Sequence, residues 1–135
     1  MRILAIETAT PVASVAIVDG SGVLAEAMLR SPMRHLEGLL ATTDGLLGGL
    51  GVGPAAIEGL AVSCGPGGFT GLRIGIATAA AWANARSSPV LGVDTLEALA
   101  CVPGADGLVL PVLDAHRGEV AGAVGIEHEI GRAHV

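Results

Sequence analysis

Apolar residues gather in short β-branched runs over the first thirty positions, and from His35 their period changes. ILAIE (3–7) and PVASVAIVD (11–19) read as strands, and DGSG (19–22) is a hairpin signal. VLAEAMLR (23–30) then reads as the returning strand, and Pro32 punctuates. Leu36, Leu39, Leu40, Leu47 and Leu50 fit one face of a helix that GGLGVGP (48–54) closes. GLAVS (59–63) reads as a buried strand, and a helix is predicted from Phe69 to about Arg86. PVLGV (89–93) is a further strand, after which Asp94 or Thr95 can cap a short helix through Leu99. LVLPVLD (108–114) and GEVAGAVGI (118–126) read as two last strands joined around DAHRG.

An antiparallel opening followed by right-handed βαβ crossovers gives an α/β protein with a mixed sheet covered by helices. A Rossmann-type sheet is set aside, because its first glycine-rich turn follows strand one and here it follows strand four. The order βββαβαβα resembles the first lobe of the actin/sugar-kinase/Hsp70-like ATPase fold. Residues 1–100 would form that lobe, and 101–128 the beginning of a truncated second one. The last seven residues, EIGRAHV (129–135), have codons that can spell AGATCGGAAGAGCACACGTC, which resembles the start of a short-read sequencing adapter. The expectation is that genuine sequence stops near His128 and that the chain is an N-terminal fragment; a natural tail is the alternative.

Composition narrows the function classes. Half the residues are hydrophobic, yet Phe69 and Trp82 are the only aromatics, so Val, Leu, Ile and Ala must build the core. The net charge is −6, and all seven cations are arginines. Without a basic cluster, a direct grip on DNA or RNA is not expected. Cys64 and Cys101 form no CxxC pair and suggest neither zinc nor a disulfide framework. Glu7 interrupts the first apolar run after four residues, too short for a signal-peptide core, and no segment approaches the ~20 apolar residues of a membrane span. The expectation is a soluble cytoplasmic protein.

The stretch SCGPGGFTGLRIGIATA (63–79) carries two readings. Gly65, Pro66, Gly67, Gly68, Phe69 and Thr70 could present backbone N–H groups to a phosphate at a helix start. They could equally make a tight strand-to-helix turn, and the chain has neither GxxxxGK[ST] nor any lysine. In the helix that follows, Gly71, Gly75, Ala79 and Ala83 recur every fourth residue as a shallow stripe. That stripe would admit a second helix at about 8–10 Å, from a partner or from residues 35–50 of the same chain. Leu72, Ile76 and Ala80 on the other side suit packing on the sheet. Arg73 could pair with an acid on a partner or reach into solvent.

LAIETAT (4–10), GPGGFTGLRIG (65–75) and LDAHRGEV (113–120) together resemble the glycoprotease-like TsaD/TsaB family, in its TsaB (YeaZ) branch. Departures are Glu7 for the usual Asp, Gly68 for Ser and Ala121 for Tyr. The resemblance implies work in making threonylcarbamoyladenosine (t6A) in tRNA, as the non-catalytic partner of a TsaD-like catalytic subunit. It further implies a small TsaE-like ATPase in the same complex, tRNA met only indirectly, and no membrane. ATP and metal would be used by the complex partners, with no cofactor bound directly. The implied interface is His35, Leu36, Leu39, Leu40, Gly71, Arg73, Gly75, Ala79 and Trp82, on the helices over 35–50 and 70–86.

The sibling's HxExH metal pattern aligns with His35-Leu36-Glu37-Gly38-Leu39, so the second ligand position is a leucine and no metal site is expected. His116 and His128 have no partners at ligand spacing, and no Ser/His/Asp or Cys/His arrangement supports a peptidase. Glu7 and Thr8 stand where related ATPases handle phosphate and are read first as turn residues. Asp114, Arg117 and Glu119 read as a surface turn with an internal salt bridge or as a domain-interface element. Two other functions stay open: an actin-like ATPase or kinase binding Mg-ATP, and a homodimer using the same helices.

Overall fold

A computed structural model describes residues 1–29, 35–101, 108–116, 119–122 and 125–126. Three antiparallel strands open it: β1 (Ile3–Glu7), β2 (Ala13–Asp19) and β3 (Gly22–Leu29). β2 starts two residues later than the apolar run, because Pro11 has no N–H and the Thr10 hydroxyl donates to the Val12 carbonyl at 2.8 Å. The hairpin turn is held by Asp19, which accepts from both the hydroxyl and the N–H of Ser21, and these bonds hold its carboxyl below the usual range.

Helix α1 (His35–Gly49) and a 3₁₀ turn at Pro54–Ala56 lead into β4 (Gly59–Ser63), which pairs parallel to β1. Parallel pairing needs such a crossover, and α1 supplies it. Helix α2 (Phe69–Arg86) returns the chain to β5 (Val90–Val93), parallel to β4. The sheet order is therefore β3-β2-β1-β4-β5. Helix α3 (Thr95–Ala100) follows, capped by Asp94, whose Oδ1 accepts from the N–H groups of Leu96 and Glu97.

Period-2 alternation puts Leu4, Ile6, Val15, Ile17, Leu60 and Val62 on one face of the sheet, all buried. Leu39 and Leu47 of α1, Ile57 after the 3₁₀ turn, and Ala79 of α2 complete this core. The opposite face is built of small residues, Ala5, Ser14, Ala16 and Ala61, with Ala98 of α3 beside them around a cavity of about 150 Å³.

Beyond α3 the two expected strands are four short ones. β6 (Leu108–Val109) pairs antiparallel with β9 (Gly125–Ile126), and β7 (Val112–His116) with β8 (Glu119–Gly122). Pro111, unable to donate to a ladder, separates β6 from β7. Residues 127–135, including the segment read as adapter sequence, lie outside the described residues. Among the described residues no helix is long and apolar enough to cross a membrane.

Candidate functional site

The glycine-rich stretch begins at the end of β4 and closes onto the turn between β1 and β2. Glu7 sets that turn: its Oε1 accepts the N–H of Ala9 at 2.5 Å and of Thr10 at 3.3 Å. The Ala9 carbonyl in turn accepts the N–H of Gly68, the residue that starts α2, at 2.7 Å. Gly67 has a positive φ of 159°, and a Cβ there would lie 2.6 Å from the Ala9 carbonyl oxygen, so glycine is required on both grounds. Gly65, at φ 109°, presents its carbonyl to the N–H of Thr95 at 2.9 Å and so ties α3 to the same loop through a cis Gly65–Pro66 peptide.

Helix α2 sits on this turn with its small residues facing inward. A Cβ on Gly71 would collide with the Thr8 carbonyl, and one on Gly75 with the Thr8 hydroxyl, while meeting the Val62 side chain in ordinary contact at 3.5 Å. Ala79 is fully buried in the core, and Ala83 packs against it. The expected stripe therefore faces β1 and β4, and its groove is filled from within the lobe. The other side of the helix is the outer one, with Ile76 43% exposed and Ala80 also exposed, so the expected packing of Ile76 and Ala80 on the sheet is reversed. Thr78 is buried with the stripe, its hydroxyl satisfied by the Ile74 carbonyl at 2.8 Å.

Of the expected interface residues, Gly75 and Ala79 are thus buried within the lobe, and Gly71 is half-buried against Thr8. Leu39 joins them, since it is fully buried in the core. Trp82 is half-buried against that core, with its indole N–H buried and unpaired. Leu40, by contrast, is 48% exposed on α1, and Phe69 is 74% exposed at the start of α2. The Arg73 side chain is exposed, as expected for an arginine reaching into solvent, and its guanidinium lies 5.4 Å from the centroid of the exposed Phe69 ring. His35 and Leu36 occupy the first turn of α1, and their side chains lie outside the described residues. Arg117 lies outside them too, so the turn expected to join it to Asp114 and Glu119 has no described side-chain geometry.

A cleft of about 490 Å³ opens where the β1–β2 turn, the start of α2 and β7 meet. Thr8–Pro11, Gly67–Gly71, Leu113 and Asp114 line it, a grouping that the sequence does not reveal beyond marking each segment separately. Thr8 is 3% exposed and its hydroxyl has no partner, but that hydroxyl is turned onto Gly75 of the helix flank. No metal-binding group of three His, Cys, Asp or Glu occurs among the described residues.

The sheet order, the α1 and α2 crossovers and the cleft at the β1–β2 turn define the first lobe of an actin-like ATPase fold. A ROK family protein from Streptococcus pneumoniae TIGR4 shares that fold, with a TM-score of 0.50 at 19% identity over 98% of this chain and 48% of its own. Within the fold the likeness is much narrower. A family model described as "TsaD: tRNA N6-adenosine threonylcarbamoyltransferase" matches residues 12–134, and the chain belongs to this family. It is 41% identical over 125 residues to the tRNA threonylcarbamoyladenosine biosynthesis protein TsaB of Escherichia coli K12, a match covering 89% of this chain and 53% of that protein. YeaZ from Pseudomonas aeruginosa superposes with a TM-score of 0.83 at 31% identity, over 93% of this chain and 60% of its own. The chain spans about half the length of the curated relatives named TsaB that it matches.

Proposed function

We propose that this chain is the N-terminal lobe of a non-catalytic scaffold or activator in t6A synthesis, docking on a TsaD-like catalytic subunit. The observation that carries this reading is the 41% identity to a relative named for t6A biosynthesis. Leu39, buried in the core at the second position of the sibling's metal pattern, supports a non-catalytic role. The docking surface is the outer side of α2, with Phe69, Arg73 and Ile76, joined by Leu40 and by His35 and Leu36 from the first turn of α1. Exposed aliphatic and aromatic side chains on a pair of neighbouring helices supply the apolar area that protein association uses. The complex would hold a TsaE-like ATPase and work in the cytoplasm, with ATP and metal on the partner subunits and tRNA met only through them.

Co-elution of the full chain with a TsaD-like subunit from the same genome, by size exclusion, tests this. A stoichiometric complex that Ile76→Asp abolishes is the expected result, with the melting temperature of the variant changed by no more than a few degrees. A folded chain that ignores the catalytic subunit overturns the reading. The 490 Å³ cleft favours a second one, in which the lobe binds Mg-ATP itself. That reading requires a rise in melting temperature with Mg-ATP and no partner present. Self-association that Ile76→Asp abolishes would assign the same surface to a homodimer.

A further inference from the structure

We propose that Glu7 is a positioning residue for the docking helix, fixing the β1–β2 turn on which the start of α2 is seated. The proposal rests on α2 being the docking element, and the observations behind it form a continuous chain of contacts. The Glu7 carboxylate gathers the N–H groups of Ala9 and Thr10, which shapes the turn. Ala9 is 4% exposed, so its N–H depends on that carboxylate rather than on water. Its carbonyl receives the N–H of Gly68 at 2.7 Å, and Gly68 starts α2 without any side-chain cap. The beginning of the helix is therefore anchored by the turn rather than by its own sequence.

The glycines make this anchorage stiff. At Gly67, Gly71 and Gly75 no side chain stands between the helix and residues 8–9, and a Cβ at any of them would overlap that segment. A leucine at such a contact can change rotamer when its neighbour moves, whereas the Thr8 and Ala9 carbonyls that face Gly71 and Gly67 cannot. A shift of the turn is passed directly to α2, and with it to Phe69 and Arg73, which stand on the first two turns of the helix. The hydrogen bonds of the Glu7 carboxylate go to Ala9 and Thr10 in the turn, so its influence on binding is exerted through the turn.

The test combines binding with amide hydrogen exchange on the full chain. Glu7→Ala is expected to speed exchange at residues 67–72 while leaving the β2–β3 hairpin unchanged, and to weaken binding to the TsaD-like subunit roughly tenfold. Glu7→Gln keeps a carbonyl acceptor at the same reach and is expected to restore both readings. Glu7→Met, which keeps the length and removes the acceptor, replaces Glu7→Ala should that variant not fold. Unchanged affinity, exchange that rises evenly across the sheet, or a Gln variant as impaired as the Ala one would each overturn the proposal. A wild-type chain that ignores the TsaD-like subunit overturns the docking reading instead. The exchange pattern still decides in that case whether Glu7 seats the helix.

Discussion

Two helices cover one face of the same sheet and are seated in opposite ways. α1 drives Leu39 and Leu47 into the core, so bulky side chains hold its axis away from the strands. α2 turns Gly71, Gly75 and Ala79 to the sheet and meets the backbone of Thr8 directly. The first kind of contact gains stability from apolar area removed from water and can adjust by rotamer changes. The second gains less area and fixes geometry more closely. Positional accuracy is what a docking helix needs, and α2, the helix proposed to dock, has the contact that supplies it.

Substitutions on each helix can break that contrast. Leu39→Ala should cost about 2–5 kcal/mol, since it leaves a cavity in a packed core, and a lower urea midpoint with unchanged slope would register it. Gly71→Ala should destabilise by about 1–3 kcal/mol, because the added methyl meets a backbone carbonyl that has no rotamer to change. Its sign is the informative part, since Ala for Gly inside a helix ordinarily stabilises. At Gly45 on α1 a Cβ meets nothing within 4 Å, and Gly45→Ala should raise stability by about 0.5–1 kcal/mol. Two identical substitutions, in two helices of one lobe, are thus predicted to move the melting temperature in opposite directions. If both raise it, α2 is not seated on Thr8 as described.

Much of the fold is legible in the sequence because strands declare themselves twice, by β-branched composition and by turn chemistry at their ends. The hairpin at Asp19–Gly22 and the Asp94 cap belong to that legible part. The orientation of α2 does not, for a physical reason. Its small residues and its aliphatic ones lie on different sides, and either side suits a sheet: one by burying area, the other by admitting close approach. The choice falls to Thr8, whose backbone occupies the stripe, and Thr8 is over sixty residues away in sequence. Leu39 and Leu40 show the same limit at single-residue scale, since adjacent leucines on a helix point one inward and one outward. The contact of Arg73 with Phe69 needs only the i, i+4 spacing, a signal in the sequence beside the charge-pairing and solvent readings of that arginine.

The glycine seat also has a bearing on synthesis. β1, its turn and β2 emerge from the ribosome long before α2, and glycines at 71 and 75 make that segment a poor helix on its own. What tips it into helix is the finished strand pairing beneath it, β4 against β1. The outer side of α2, the surface proposed for docking, would then take shape only once the β1–β4 pairing beneath it is in place. A chain whose sheet had not assembled would lack that proposed surface.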